Sequence, residues 1–210
     1  MKKNLLILFF VSISVNGFSQ FFKEKSKDKI QKGITKYEGY FTFYYDDNSD
    51  KMYLQIDALD HEFLYVRSLS QGIGSNDIGL DRGQLGDGVV VYFKKVGNKI
   101  LLIQPNQDYR AITGNEEEKN SVKEAFAKSV LHGFIIKKEQ KGVYLVDATT
   151  FFMRDAHGVS KTLANKQQGN YSVDTSKSGF HLDKTKAFPK NVEFDVMLTF
   201  TGTPKGYNIR

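Results

Sequence analysis

Apolar and polar residues alternate along most of this chain, with the two-residue period of half-buried β-strands. The apolar positions are rich in Val, Ile, Phe and Tyr, which favour strands over helices. The pattern predicts strands at 39–45, 52–56, 62–69, 89–96, 99–104, 134–138, 143–146 and 192–201. In the last of these strands, five apolar residues alternate with polar or small ones: Val192, Phe194, Val196, Leu198 and Phe200.

Short turn segments separate several of these strands. Gly97-Asn98 stands between two β-prone runs and predicts a two-residue hairpin turn. The polar cluster 46–50 predicts a longer hairpin loop, and 140–142 predicts a turn between the strands at 134–138 and 143–146. Neighbours along the chain are therefore expected to pair as antiparallel strands.

Two segments favour helices instead. Asn115 can cap a helix over 115–129, and Glu116 to Glu118 place negative charge at its N-terminal end. Its predicted apolar face is Val122, Ala125, Phe126, Ser129 and Val130. Asp147 can cap a short helix over 149–154, and the polar segment 157–183 predicts a long excursion over the sheet. The chain is thus expected to be an α+β domain, mainly antiparallel β-sheet with one or two helices.

The N-terminus has the pattern of an export signal. Lys2 and Lys3 precede an apolar run from Leu5 to Val15, and Gly17-Phe18-Ser19 is a small-residue cleavage site. We expect residues 1–19 to be a signal peptide and 20–36 a flexible, lysine-rich leader or short helix. The apolar run is too short to span a bilayer as a mature helix, so a retained anchor is the less favoured interpretation. The protein is expected to be periplasmic or extracellular, without stable membrane insertion after cleavage.

Composition narrows the classes of partner. Removal of Lys2 and Lys3 lowers the formal net charge from +6 to +4, and no concentrated basic face with aromatic support is present, so a nucleic-acid partner is not expected. The chain contains no cysteine, which excludes disulfides and a lipid-modified cysteine. About 190 mature residues suffice for one domain with a substantial core.

The segment 71–88 contains six glycines and lies between two predicted strands. It keeps the aliphatic residues Ile73, Ile78, Leu80 and Leu85, which a solvated linker would not need. It is therefore predicted to be an ordered surface loop, called here the glycine loop. Its candidate functional residues are Gly72, Gly74, Asp77, Gly79, Asp81, Arg82, Gly83, Gln84, Gly86 and Asp87.

Several interpretations of the glycine loop are open. A phosphate cradle is disfavoured, because Asp77 stands where a third glycine belongs and the carboxylates would repel a phosphate. Calcium suits Asp77, Asp81 and Asp87 better, although their spacing is not that of an EF-hand. The favoured structural interpretation is that Asp and Gly shape turns and that Arg82 is tied to a carboxylate. We expect Asp81 and Arg82 to hold the loop in place.

No motif for catalysis or metal binding is found in the chain. The four histidines, His61, His132, His157 and His181, show no i, i+3 or i, i+4 pairing, and no serine lies in a Gly-x-Ser-x-Gly elbow. No catalytic, metal or cofactor residue is therefore expected. A metal site assembled in space from His132, His157 and carboxylates stays open, but isolated histidines are the favoured interpretation.

Four segments carry a resemblance to a known family. They are 71–87, the run 143–158 with the sequence VYLVDATTFFMRDAHG, the run FPKN at 188–191 and LTFTG at 198–202. Over roughly residues 37–210, in collinear order, the chain resembles the N-terminal region of secreted bacterial zinc-dependent metalloproteases of the metzincin-like kind. That region is itself described as a domain of unknown function.

The resemblance implies a non-catalytic N-terminal domain at 37–210, acting as a scaffold, a substrate-binding module or a latency module. Zinc would belong to an H-E-x-x-H helix downstream, and this chain is expected to be a piece truncated before that catalytic domain and inactive alone. The partners it implies are the downstream protease domain and a peptide or protein substrate. Without cysteine, an inhibitory contact with zinc would need a carboxylate or histidine. The alternative is a stand-alone secreted binding domain for glycan or cell-surface polymer.

Overall fold

A computed structural model describes residues 33–209, and the predicted signal peptide lies outside these residues. From Thr35 onward, the described residues belong to one compact unit. An eight-stranded sheet dominates it, with strands β1 (Ile34–Tyr37), β2 (Phe43–Asp46), β3 (Lys51–Ile56), β4 (Phe63–Tyr65), β5 (Val89–Val96), β6 (Lys99–Gln104), β7 (Ser129–Gln140) and β8 (Val143–Asp147). Of the predicted leader, the described residues include 34–36, which lie in β1.

The strand order is β1-β2-β3-β8-β7-β6-β5-β4. All neighbouring strands in the stretch β2-β3-β8-β7-β6-β5-β4 of this order pair in antiparallel fashion. Among these pairs, only β3 and β8 are not consecutive in the chain. β-Bulges interrupt the β6–β7 ladder at Leu102/Ile103 and the β7–β8 ladder at Ile136/Lys138. The prediction of an α+β fold with a mainly antiparallel sheet is confirmed.

The remaining elements are short. The helices are α1 (Glu116–Ala125), α2 (Thr149–Phe152) and α3 (Val159–Asn165), and a 3₁₀ turn spans Thr175–Lys177. The additional strands are β9 (Gly169–Val173), β10 (Gly179–Phe180), β11 (Lys186–Ala187), β12 (Val192–Glu193), β13 (Val196–Met197) and β14 (Phe200–Pro204). They form three antiparallel pairs: β9 with β14, β10 with β13, and β11 with β12.

The main core lies on one face of the large sheet. Buried side chains from six strands meet Phe151 and Met153 of the α2 region and Phe180 of β10. Phe194, Val196 and Leu198 pack against the same cluster, so the C-terminal segment covers this face. The strand residues of the core are Phe43, Met52, Leu54, Ile56, Val91, Phe93, Ile100, Leu102, Phe134, Tyr144 and Val146.

Two strand predictions were too long. The predicted strand at 39–45 begins only at Phe43, because the chain bends at Gly39 and the Tyr40 amide donates instead to the Phe188 carbonyl at 2.7 Å. The predicted strand at 62–69 is regular only over Phe63–Tyr65, after which a single bridge joins Ser68 to Leu85.

The predicted single strand at 192–201 is wrong. The segment is divided among β12, β13 and β14, each paired with a different partner. Asp195 lies between β12 and β13, and its amide donates a hydrogen bond to the hydroxyl oxygen of the fully buried Thr185 at 3.2 Å. The excursion at 157–183 is also more ordered than expected, since α3, β9 and β10 lie within it.

The helix predictions need partial correction. Asn115 caps α1, accepting a hydrogen bond from the Glu117 amide at 2.9 Å, but the helix ends at Ala125 and buries no residue. Ser129 and Val130 belong to β7 instead of an apolar helix face. The Asp147 carboxylate accepts from the Thr149 amide at 3.1 Å, although the cap position of α2 itself is Ala148.

Candidate functional site

The glycine loop, residues 71–88, extends the β4–β5 hairpin. The closing part of the loop, residues 83–86, runs back beside the residues that follow β4. Backbone hydrogen bonds join the two segments. The Leu69 amide donates to the Gln84 carbonyl at 3.0 Å, the Gly83 amide to the Leu69 carbonyl at 2.8 Å, and the Gly86 amide to the Arg67 carbonyl at 2.8 Å. The loop is therefore ordered, and its backbone fixes its shape.

Glycine is required at several positions of the loop. Gly74, Gly79 and Gly83 have φ values of +79°, +75° and +79°, in the left-handed region that side-chain-bearing residues rarely adopt. Gly72 faces a different limit, since a Cβ there would lie 2.8 Å from the Arg82 amide nitrogen and 2.9 Å from the Leu80 carbonyl oxygen.

Two aliphatic residues attach the loop to the rest of the chain. Ile78 and Leu80 are almost fully buried against Val159 and Leu163 of α3, in a second, smaller core. Leu69, Tyr171, Phe200 and Ile209 pack around this core. The other two aliphatic residues of the loop do not pack into a core, since Ile73 is 42% and Leu85 69% exposed.

The polar side chains of the loop point to solvent. Asp77, Asp81, Arg82, Gln84 and Asp87 are all exposed. Within residues 33–209 their side chains make no ion pair or hydrogen bond, so the expected tie between Arg82 and a carboxylate is not observed. The structure therefore corrects the expectation that Asp81 and Arg82 hold the loop. Buried aliphatic residues and backbone hydrogen bonds do so.

The connection between α2 and α3 lies beside the loop. Asp155 in this connection caps α3: its Oδ1 accepts from the amides of Gly158 and Val159 at 2.9 and 2.7 Å, and its Oδ2 accepts from the Ser160 amide at 2.8 Å. Both carboxylate oxygens are thus occupied by backbone donors.

Two arginines reach this connection from different parts of the chain. Arg67, after β4, donates from Nη1 to the Ala156 carbonyl at 3.0 Å. Arg154 donates from Nε to the Phe151 carbonyl at 3.0 Å and from Nη2 to the Tyr65 hydroxyl at 3.3 Å. The Arg154 guanidinium also lies 4.4 Å from the centre of the Phe151 ring. Each guanidinium is therefore held in one orientation.

The basic side chains in and beside this connection are called here the basic corner: Arg67, His132, Arg154 and His157. The His132 ring lies 5.2 Å from the Phe151 ring, and burial together with the nearby charge of Arg154 lowers the pKa of His132. Arg67 Nε and His157 Nδ1 are buried and have no hydrogen-bond partner within residues 33–209.

The structure does not assemble the metal site that sequence reasoning left open. Among residues 33–209, no group of three or more His, Cys, Asp or Glu side chains could hold a metal ion. His132 faces a positive charge, His61 is exposed, and the His181 Nδ1 lies 3.5 Å from an Asp195 carboxylate oxygen. In the same part of the chain, no helix has the length and apolarity needed to cross a membrane.

Sequence reasoning missed the two arginines. Arg154 lies inside the run 143–158 that carried the resemblance, but nothing in that run indicates its contact with Tyr65. The spacing of Tyr65 and Arg67 in a β-prone run was the available signal, because residues two apart in a strand share a face.

Comparisons with known proteins give only family descriptions. No curated protein and no solved structure matches the chain. Two family models do match: residues 23–72 match a domain of unknown function (DUF5118), and residues 83–209 match a second, also described as a domain of unknown function (DUF5117). The boundary between the two matches falls inside the glycine loop. Since the second match spans more than half of the chain, this protein belongs to the DUF5117 family.

Proposed function

We propose that this chain is the non-catalytic N-terminal domain of an exported zinc-dependent metalloprotease of the metzincin-like kind, and that the glycine loop is its binding surface. The resemblance in segments 71–87, 143–158, 188–191 and 198–202 supports the parent enzyme. The zinc-binding helix and the catalysis belong to a downstream domain. The loop contacts that domain or the peptide substrate bound to it.

The observation that carries this proposal is the rigid presentation of exposed side chains by the loop. Ile78 and Leu80 hold it on α3, and positive-φ glycines fix its turns, so little conformational freedom is lost when a partner binds. Seven exposed polar side chains, together with the exposed Ile73 and Leu85, form its outer surface. A loop that only connected two strands would not need a separate core.

The decisive experiment uses the full-length protease with the combined substitution Asp77→Asn, Asp81→Asn and Arg82→Ala. The matched control is Asp108→Asn with Arg110→Ala, which removes charges from another exposed segment. We expect the loop variant to change the rate of casein hydrolysis and the control to leave it unchanged. A lower rate indicates substrate binding, and a higher rate indicates latency, because a carboxylate that blocks zinc has been removed. An unchanged rate contradicts the proposal.

The chain alone provides a second test. We expect it neither to hydrolyse casein with added zinc nor to retain stoichiometric zinc after dialysis, since the ligands that the proposal assigns to zinc lie downstream. Metal analysis and a caseinolysis assay measure both properties. One tightly held zinc ion per chain would overturn the assignment of catalysis to another domain.

A further inference from the structure

We propose that the basic corner binds a carboxylate of an extended acidic peptide, with Arg67 and Arg154 as its ligands. The peptide lies along the free edge of β4. That the ligand is a peptide rests on the proposed function, whereas the binding of an anion rests on the charges and contacts of the basic corner itself.

The positive charge of the corner is not compensated. No carboxylate oxygen of residues 33–209 lies within 4.0 Å of a guanidinium nitrogen of Arg67 or Arg154. Asp155 follows Arg154 directly in the chain, but the amides at the start of α3 occupy both of its carboxylate oxygens. Hydrogen bonds between a guanidinium and a carboxylate are among the strong ones, so a ligand carboxylate can pair with donors that have no partner within residues 33–209.

The two guanidinium groups are already oriented. The Ala156 carbonyl occupies Arg67 Nη1, and the Phe151 carbonyl and Tyr65 hydroxyl occupy Arg154 Nε and Nη2. Arg67 Nη2 and Arg154 Nη1 make no hydrogen bond within the described chain, and each offers donors to an incoming oxygen. In the connection between α2 and α3, the buried His157 Nδ1 also has no hydrogen-bond partner within residues 33–209.

The neighbouring strand indicates a peptide ligand. β4 is the last strand of the sheet order, and its pairing with β5 leaves the opposite edge without a partner among residues 33–209. The backbone groups of Leu64 and Val66 point to that edge, since Arg67 and Leu69 bond inward to the closing part of the glycine loop.

An extended peptide can hydrogen-bond to such an edge and present alternate side chains on its two faces. Arg67 and Tyr65 lie on the partly buried face of β4, and the exposed Leu64 and Val66 lie on the other. A peptide that alternates acidic and apolar residues therefore fits both faces.

The test uses NMR of the full chain, which contains five arginines and so gives at most five side-chain Nε–Hε signals. The probe is an acetylated, amidated pentapeptide with a central glutamate flanked by valines. Its glutamine counterpart, a version with N-methylated backbone amides, and sodium phosphate are the comparisons. We expect the glutamate peptide to shift the signals of Arg67 and Arg154 saturably and to bind about tenfold or more tightly than the other three probes.

The substitutions Arg67→Lys and Arg154→Lys keep the charge but remove the planar donor group, and Arg110→Lys is the control at an exposed arginine. We expect Arg67→Lys and Arg154→Lys each to weaken binding of the glutamate peptide by about tenfold or more and Arg110→Lys to leave its affinity unchanged. If a variant does not fold, the signals of the unmodified chain decide the question alone.

Several results would overturn the proposal. Equal binding of the glutamate and glutamine peptides excludes a carboxylate site, and equal movement of all arginine signals indicates only general attraction. Phosphate binding as tight as the peptide indicates an anion site without a peptide, and full binding of the N-methylated version excludes pairing with β4. No protease is needed, so a negative result for the loop variant of the full-length enzyme leaves this test intact.

Discussion

At the scale of single residues, the shape of the glycine loop depends on backbone angles and not on its charges. Gly79 and Gly83 lie in the left-handed region, and no atom lies near the place where a Cβ would stand. Any penalty for a side chain at these positions is thus a conformational penalty and not a clash.

We therefore expect Gly79→Ala and Gly83→Ala each to lower the free energy of unfolding by about 1–2 kcal/mol. The control is Gly114→Ala, at a position without positive φ and with open space around it, where we expect a gain of about 0.4–1 kcal/mol. Chemical denaturation of the three variants measures these differences. Unchanged stability of Gly79→Ala and Gly83→Ala would show that the loop backbone is not constrained.

Sequence reasoning located this loop but misassigned its contacts. Four aliphatic residues marked it as ordered, and the burial of Ile78 and Leu80 agrees with that. Periodicity cannot tell which of the four reaches α3, because α3 lies far along the chain in a segment with few apolar residues. The basic corner was not predicted for the same reason, since Tyr65 and Arg154 are far apart in the sequence and come into contact only in the folded molecule.

At the scale of elements, the accuracy of prediction follows the locality of the contacts. The β5–β6 hairpin was predicted with its correct bounds, because Gly97-Asn98 and the two flanking runs specify it locally. The run at 192–201 has the same alternation but divides into three strands, because its partners β11, β10 and β9 lie in other segments. Alternation reports which side chains are buried and not which strand lies beside them.

The two capped helices should respond differently to loss of the cap. α1 buries no residue, whereas α3 contributes Val159 and Leu163 to the second core. We expect Asn115→Ala to increase amide hydrogen exchange within Glu116–Ala125 with little change in the global melting temperature. Asp155→Ala should lower the global melting temperature, since it leaves three amides unpaired and loosens a packed helix. Equal thermal effects of the two variants would contradict this distinction.

Asp174 links the 3₁₀ turn to β14 and makes that link depend on pH. Hydrogen bonds from the Ser176 hydroxyl, Lys177 and the Thr201 hydroxyl lower the pKa of Asp174 from 3.8 to about 2. Because the pKa is lower in the folded state, the ionised carboxylate stabilises the fold above about pH 4, and this contribution is lost between about pH 4 and 2.

We expect Asp174→Asn to melt below the unmodified protein at neutral pH and the difference to shrink as the pH falls toward 2. Thermal melts across this range provide the measurement, with Asp108→Asn as a control whose carboxylate has no partner within residues 33–209. A difference that is constant with pH would show that the charge of Asp174 is not responsible.

At the scale of the molecule, the two family models divide one structural unit. The segment 23–72 includes β1 to β4, and the segment 83–209 includes β5 to β8 and all that follows. Both contribute to the same sheet and the same main core. β3 pairs with β8 from Tyr53–Asp147 to Ile56–Tyr144, and the Ala148 amide donates to the Met52 carbonyl at 2.8 Å.

We therefore expect residues 83–209, produced alone, to show no cooperative thermal transition. Without β3 the edge of β8 is unpaired, and the core lacks Phe43, Met52, Leu54 and Ile56. Calorimetry of this piece beside residues 33–209 tests the expectation. A cooperative transition of the shorter piece at the same temperature would show that the second family model is a domain by itself.

The junction of β3 with β8 also sets the order of events during folding. In the meander from β5 to β8 each strand pairs with the next along the chain, so we expect its contacts to form before those between β3 and β8. β3 is synthesised before this meander and pairs with β2 on one side and with β8, the last strand of the meander, on the other. We therefore expect the edge of β3 that pairs with β8 to stay unpaired in the nascent chain until Asp147 has left the ribosome, and closure of that long loop to be a slow step of folding.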